Sequence, residues 1–241
     1  MINLITTNEY RCRVDLYLYS SPSCQGLATQ ASAHRHLRIE CLTPTEQAIP
    51  VRLCEDDYPA WLKLADVEQL ELTTDIYQAV SIDRSTIAAR IPQIIAFAQA
   101  AMQVPNQYLW GGTVAPDYDC SGLMQAAFQS QGIWLPRDSY QQEAFVEQVA
   151  EGNMLPGDLI FFGTPAKTDH VALHLGDLYY IHSSGIQMGR NGIGIDILAP
   201  LGDPVSCGYY AKLRCCGRVM NSLTSCTSLK ILAIGVDLGY P

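Results

Sequence analysis

The residues best suited to covalent chemistry are one cysteine and a group of histidines. Cys120 stands in Asp119-Cys120-Ser121-Gly122, at the start of a segment in which Leu123, Met124, Ala127 and Phe128 recur at helical spacing until Gly132. A thiol attacks as its thiolate, and the unpaired N–H groups and dipole of a helix start favour that anion. Asp119 suits the N-cap, and Ser121-Gly122 would keep the first turn narrow enough for a substrate backbone to approach sulfur. The chain has nine cysteines, an odd number in a chain too large to need a disulfide framework, so reduced thiols that pack as small hydrophobes are expected for the rest. With no Cys-x-x-Cys pair, and with Cys215-Cys216 pointing to opposite faces of a strand, no metal site and no cofactor are expected.

A nucleophilic thiol needs a base within hydrogen-bond reach, itself held by a third group. His170, His174 and His182 occupy two strands joined around Leu175-Gly176-Asp177-Leu178, which reads as a hairpin. Side chains alternate faces, so His170 and His182 share a face only if opposed residues sum to an even number. A three-residue loop at 175–177 satisfies this and sets the two histidines directly opposite, with Cβ atoms about 4.5–5.5 Å apart. A two-residue loop would put them on opposite faces. His174 shares the face of His170 but lies about 13 Å along the strand, and reads as a structural or surface residue. For the oxyanion of an acyl transfer, the backbone N–H of Cys120 and the phenol of Tyr108 are candidate donors, although Tyr108 suits equally well a packed aromatic beside Trp110.

The elements that must position these residues divide into two groups. Residues 9 to about 72 alternate short β-rich runs (14–19, 36–39, 49–53 and 61–64) with turn signals, the pattern of a small barrel. Residues 73–86 are polar and read as a linker. Ile91, Ile94, Ile95, Ala98 and Met102 then mark a helix with Pro92 in its first turn. A second helix, about 120–131, is followed by strands at 158–162, 170–175, 178–183, 194–198 and 209–215, so the second domain is α+β with an antiparallel sheet. The expected division is 1–78 barrel, 79–90 linker, 91–220 catalytic domain and 221–241 a tail, whose apolar run 229–236 reads as an extra strand or a loose end.

Six ordered blocks carry a resemblance. They are Tyr108-x-Trp110-Gly111-Gly112, Asp119-Cys120-Ser121-Gly122-Leu123, Gly132-x-x-Leu135-Pro136-Arg137-Asp138-Ser139, Pro156 to Phe162, His170 to Gly176, and Ile181-His182-Ser183-Ser184. Together they resemble the NlpC/P60 cysteine peptidases, which implies a papain-like fold and a triad of Cys120, His170 and His182. The N-terminal part resembles a bacterial SH3 domain through Asp57-Tyr58-x-x-Trp61-Leu62 and Asp66-x-x-x-Leu70. The combination is similar to γ-D-glutamyl-L-diamino-acid endopeptidases, which cut murein peptides bearing a free N-terminal L-alanine. That resemblance implies that Asp138 and Tyr58 bind the substrate ammonium, that Ser121 lines the same pocket and that Tyr108 serves the oxyanion. Arg137 is a further substrate-binding candidate, and Glu55 and Asp57 are acidic neighbours of Tyr58 able to contribute, between which the sequence does not choose. A helix cap is the lesser alternative for Asp138. Asp169 sits where a small hydroxyl residue is common and, as a charge beside the base, is expected to raise the imidazole pKa.

Composition narrows the partners. The chain has 241 residues, 48% hydrophobic and 16% charged, with a formal charge of −9 that opposes binding to nucleic-acid phosphates. The first residues lack the basic start and apolar run of a secretory signal, and no run of about 18 apolar residues suggests a membrane span, so a cytoplasmic monomer is expected. The leading expectation is a murein-peptide recycling peptidase. An N-acetylmuramoyl amidase on the same fold, or a non-catalytic wall-peptide-binding protein, would share most of these features.

Overall fold

A computed structural model describes residues 4–224. Seven strands, β1 (Glu9–Cys12), β2 (Leu16–Tyr19), β3 (Leu27–Ala31), β4 (His36–Ile39), β5 (Ala48–Leu53), β6 (Pro59–Lys63) and β7 (Leu70–Leu72), form one antiparallel sheet in the order β3-β2-β6-β5-β4-β1-β7. Alternation does the folding: in β5 Ile49, Val51 and Leu53 are buried while Pro50 and Arg52 are partly open. The inward residues, among them Tyr10, Leu18, Leu37 and Leu62, close a core of their own. Each such aliphatic side chain contributes about 1.5–3 kcal/mol on burial.

Helix α1 (Arg84–Gln103) follows, capped by Asp83, whose carboxylate accepts from the Thr86 N–H at 2.8 Å. It therefore starts inside the segment read as a linker, and Pro92 lies in its interior rather than in its first turn. Pro92 and Ala88 both face solvent, so water can serve the carbonyl that proline leaves without a donor. A short hairpin, β8 (Thr113–Val114) with β9 (Asp117–Tyr118), precedes α2 (Cys120–Gln129). Then come α3 (Ser139–Phe145), β10 (Glu147–Val149), β11 (Leu159–Gly163), β12 (Thr168–Gly176), β13 (Tyr179–Ser184), β14 (Gly192–Ile197), α4 (Pro204–Tyr210) and β15 (Leu213–Arg218).

The second sheet is antiparallel, in the order β10-β15-β11-β12-β13-β14. On one face Leu159, Phe161, Val171, Leu173 and Ile181 pack against the apolar stripes of α1 and α2. On the other, Ile160, Phe162, Ala172 and Tyr180 pack against Tyr209 of α4. Cys215 joins the first cluster and Cys216 the second, as expected of neighbours on a strand. The region 209–215 is not one strand. Asp203 caps a helix that begins with Pro204, accepting from the N–H groups of Val205 and Ser206, so Tyr209 is helical and the strand begins at Leu213. The expectation for residues 229–236 lies outside the described residues.

The barrel and the α+β domain are hydrogen-bonded together. The Gln30 side-chain oxygen accepts from the N–H groups of Thr113 and Val114 at 2.8 and 3.0 Å, and Gln125 donates to Asp56 at 2.8 Å.

Candidate active site

Cys120 begins α2, whose N-cap Asp119 accepts from the Gly122 N–H at 2.6 Å. Gly122 is needed because a Cβ there would meet the Gly112 carbonyl, which accepts from the Asp119 N–H at 3.1 Å. The bare first turn thus admits the preceding glycine loop, not a substrate backbone. The thiol is 5% exposed and receives backbone hydrogen bonds from Val171 and Ser121, which seats it beside β12 at the peptide following His170. Burial, reinforced by the Asp119 charge, pushes the thiol up to about 12 despite those donors. The helix start alone therefore does not make a resting thiolate, and a base is required.

The candidate base and its candidate partner are in contact. His170 Nε2 lies 2.7 Å from His182 Nδ1, with both rings buried. Both imidazoles are pushed down by burial, His170 well below the usual range, with His182 and Lys212 reinforcing the shift. Asp169 is exposed and does not raise His170, because burial outweighs a charge facing water.

The hairpin reaches this arrangement by an unexpected route. Gly176 pairs with Tyr179, leaving a two-residue loop, Asp177-Leu178. That loop alone would separate the histidines. A register shift between His174 and Gly176 inserts one residue and restores even parity, so that Leu173 opposes Ile181 and His174 opposes Tyr180. His170 and His182 consequently share a face diagonally, two residues from direct opposition. Their rings bridge the gap with centroids 5.0 Å apart and planes at 86°. His174 is buried, far from this pair, consistent with a structural residue.

A residue absent from the sequence reading completes the row: Asp196 Oδ2 on β14 lies 2.6 Å from His182 Nε2. Nothing local marks it, since Gly194-Ile195-Asp196-Ile197 reads as ordinary strand. Tyr209 also closes on the pair, its ring centroid 4.4 Å from that of His170, while its hydroxyl and that of Ser184 are 2.6 Å apart.

The candidate binding residues separate into two sets. Tyr58 reaches across from the barrel to donate to Asp138 Oδ1 at 3.3 Å. Asp138 is also the N-cap residue of α3, with its N–H donating to the Gln141 side chain at 3.2 Å. Its carboxyl is pushed up, chiefly by burial, against the pull of Arg137. Tyr108 is near the thiol: burial, then the charges of Cys120 and Asp119, hold its phenol protonated and able to donate. The supposed neighbour Trp110 is 74% exposed instead of packed.

Four candidates are committed elsewhere. Arg137 is buried and donates to both Asp119 oxygens (2.6 and 3.1 Å), Ser121 Oγ (2.9 Å) and Thr29 Oγ1 (2.9 Å), so it knits the barrel to the start of α2. Ser121 is buried in that same network, its hydroxyl donating to Asp119 at 3.3 Å. Glu55 pairs with Arg35 at 3.2 Å and accepts from the His36 N–H at 2.7 Å within the barrel. Asp57 turns toward Arg52, 3.5 Å away, and Asp56 is the acid that touches the second domain. Neither Glu55 nor Asp57 joins Tyr58 and Asp138, because each already has an arginine in its own domain.

Residues 105–198 match the NlpC/P60 family, and residues 18–67 match the bacterial dipeptidyl-peptidase Sh3 domain. The chain carries an NlpC/P60 domain behind a bacterial SH3 domain. Its NlpC/P60 domain is similar to that of a probable endopeptidase of Mycobacterium tuberculosis, 36% identical over 109 residues, covering 45% of this chain and 28% of that one. It is also similar to the murein DD-endopeptidase/LD-carboxypeptidase of Escherichia coli, 34% identical over 79 residues, covering 32% of this chain and 42% of that one. The match spans less than half the length of either relative. A solved NlpC/P60 family protein from Bacillus cereus aligns over 89% of this chain and 65% of its own at 26% identity, with a TM-score of 0.47. The fold is mixed α+β with an SH3-like N-terminal domain.

Proposed function

We propose that this NlpC/P60 protein is a cysteine peptidase that hydrolyses the γ-D-glutamyl–L-diamino acid bond of murein peptides with a free N-terminal L-alanine, acting in the cytoplasm on released fragments. The observation that carries the peptidase reading is the buried His170–His182 contact at 2.7 Å beside a thiol that cannot ionise unaided. The thiol proton passes to the His170 nitrogen not engaged by His182, and sulfur bonds to the amide carbon. The developing oxyanion is received by the Cys120 N–H and the Tyr108 phenol. Collapse of the tetrahedral adduct breaks the C–N bond, with His170 returning its proton to the departing amine, and water then releases the thioester.

The finer specificity rests on Asp138 and Tyr58. A carboxyl pushed up by burial gains most from a cationic partner, and a substrate ammonium would supply one. A blocked amine would leave the desolvated carboxylate with the Tyr58 phenol but no cation, so discrimination against N-acylated peptides follows. The test is hydrolysis of L-Ala-γ-D-Glu-diaminopimelate, its N-acetyl form and its muramoyl form, with products identified by mass spectrometry. Cleavage after D-Glu is expected for the free peptide only, and is lost in Cys120→Ala. Equal turnover of the free and N-acetyl peptides removes the ammonium pocket, and release of an intact peptide from muramic acid would make the protein an amidase.

A further inference from the structure

We propose that Asp196 is a positioning residue that sets the tautomers of His182 and His170 in series, so that the nitrogen facing Cys120 is the unprotonated one. This deepens the peptidase reading and rests on it. Three side chains form a row of hydrogen-bonding atoms, Asp196 Oδ2 to His182 and His182 to His170. Asp196 is 3% exposed, and its Oδ1 is ion-paired with the Arg190 guanidinium, which favours the carboxylate. A carboxylate only accepts, so His182 Nε2, 2.6 Å from Oδ2, must carry the hydrogen. A neutral imidazole has one N–H, which leaves His182 Nδ1 an acceptor. His170 Nε2, 2.7 Å away, must then be the donor. The lone pair of His170 is thereby confined to Nδ1. Two imidazoles in contact have two self-consistent arrangements, and without the carboxylate nothing selects between them.

The strands are built to deliver Asp196 to this point. Across β13 and β14, His182 opposes Gly194 and Tyr180 opposes Asp196, so the carboxylate reaches His182 diagonally on the same face. At Gly194 a Cβ would collide with the Arg190 guanidinium, so the glycine opposite His182 leaves the space through which the arginine approaches Asp196. Burial independently keeps both rings neutral at rest. The other titratable groups around the row are Tyr180 on β13, Tyr209 on α4 and Lys212 beyond it. None has a recorded hydrogen bond to either imidazole among the described residues. When Cys120 gives its proton to His170 Nδ1, no proton needs to leave His182. The new imidazolium lies one ring away from a fixed anion, which stabilises the thiolate–imidazolium pair.

The test reads tautomers and thiol reactivity without a peptide substrate, so its outcome is independent of which bond the protein cuts. In the wild-type protein at neutral pH, 15N spectra of the histidine rings are expected to show His170 and His182 each protonated at Nε2 alone. In Asp196→Asn the amide would donate to His182 Nε2, His182 Nδ1 would donate to His170 Nε2, and Nδ1 of His170 would be forced to hold the hydrogen. Iodoacetamide labelling of Cys120, followed by peptide mass mapping, is then expected to slow by roughly a thousandfold or more at neutral pH and to recover only in strong alkali. Asp196→Glu, which keeps a carboxylate, is expected to restore the tautomers and most of the rate. Wild-type His182 protonated at Nδ1, or a folded Asp196→Asn protein labelled within about threefold of wild type, overturns the proposal. If the Asn variant does not fold, the wild-type spectra decide.

Discussion

Two arginine–carboxylate pairs bracket the site and are built differently. Arg137 and Asp119 are both buried, and the guanidinium makes four hydrogen bonds that join the SH3 domain to the first turn of α2. Arg190 has a side chain 29% exposed, and its partner Asp196 spends its second oxygen on His182. The first pair holds the backbone around Cys120 and matters for folding. The second runs from a partly open arginine to a buried carboxylate and, on the proposal above, matters for where a proton resides. A salt bridge is thus not a single kind of device, and the difference can be broken by mutation.

The largest effect is expected from Asp119→Ala, which strands a buried guanidinium. Breaking one side of such a pair costs about 3–5 kcal/mol, readable as a lower urea midpoint. A loss no larger than that of Arg190→Gln would put the two pairs in one class. Acid should weaken the fold next. His170 and His182 are both pushed down by burial, so between their native values and about 6.5 the unfolded chain binds more protons than the native one. Stability should therefore fall as pH drops below that value, and a pH-independent midpoint from pH 7 to pH 5 would contradict neutral buried rings.

Asp138→Asn separates binding from stability. Losing a charge-assisted contact worth about 1.5–3 kcal/mol should raise KM for the free-amine tripeptide roughly ten- to a hundredfold. The native carboxyl is pushed up, so its ionised form opposes folding above that value and the variant should be no less stable at neutral pH. A variant that unfolds at lower temperature with unchanged KM would make Asp138 a helix cap alone. Arg190→Gln is expected to cost about 1–3 kcal/mol, less than Asp119→Ala, because the buried Asp196 carboxylate keeps its contact with His182 and the glutamine amide can still donate to it. Cys120 labelling should nonetheless slow measurably, and a large stability loss with unchanged labelling would reverse the assignments of the two pairs.

Much of the site was legible because it is local. Asp119-Cys120-Ser121-Gly122 carries its own cap and its own tight turn, and strand alternation restricts the histidines to a choice of two parities. The parity itself was not legible, because a bulge at residue 175 compensates a loop one residue shorter than expected. A bulge depends on what the strand packs against, which periodicity does not record. The helical start at Asp203-Pro204 was readable, yet the apolar run after it suggested strand. Pro92 looked like a helix start, because a proline tolerated in a helix interior depends on which face meets water.

The sequence by itself determined the two-part organisation and singled out Cys120 and the pair of histidines, since each rests on residue type and short-range spacing. Only the tertiary structure decided that Arg137 and Ser121 serve the seam between domains, that Glu55 and Asp57 answer to arginines of the barrel, and that Asp196 stands behind His182. Those outcomes turn on side chains meeting across strands and domains, up to 108 positions apart for Arg137 and Thr29. A charge is committed by the partner it is buried against, and that partner is chosen by packing.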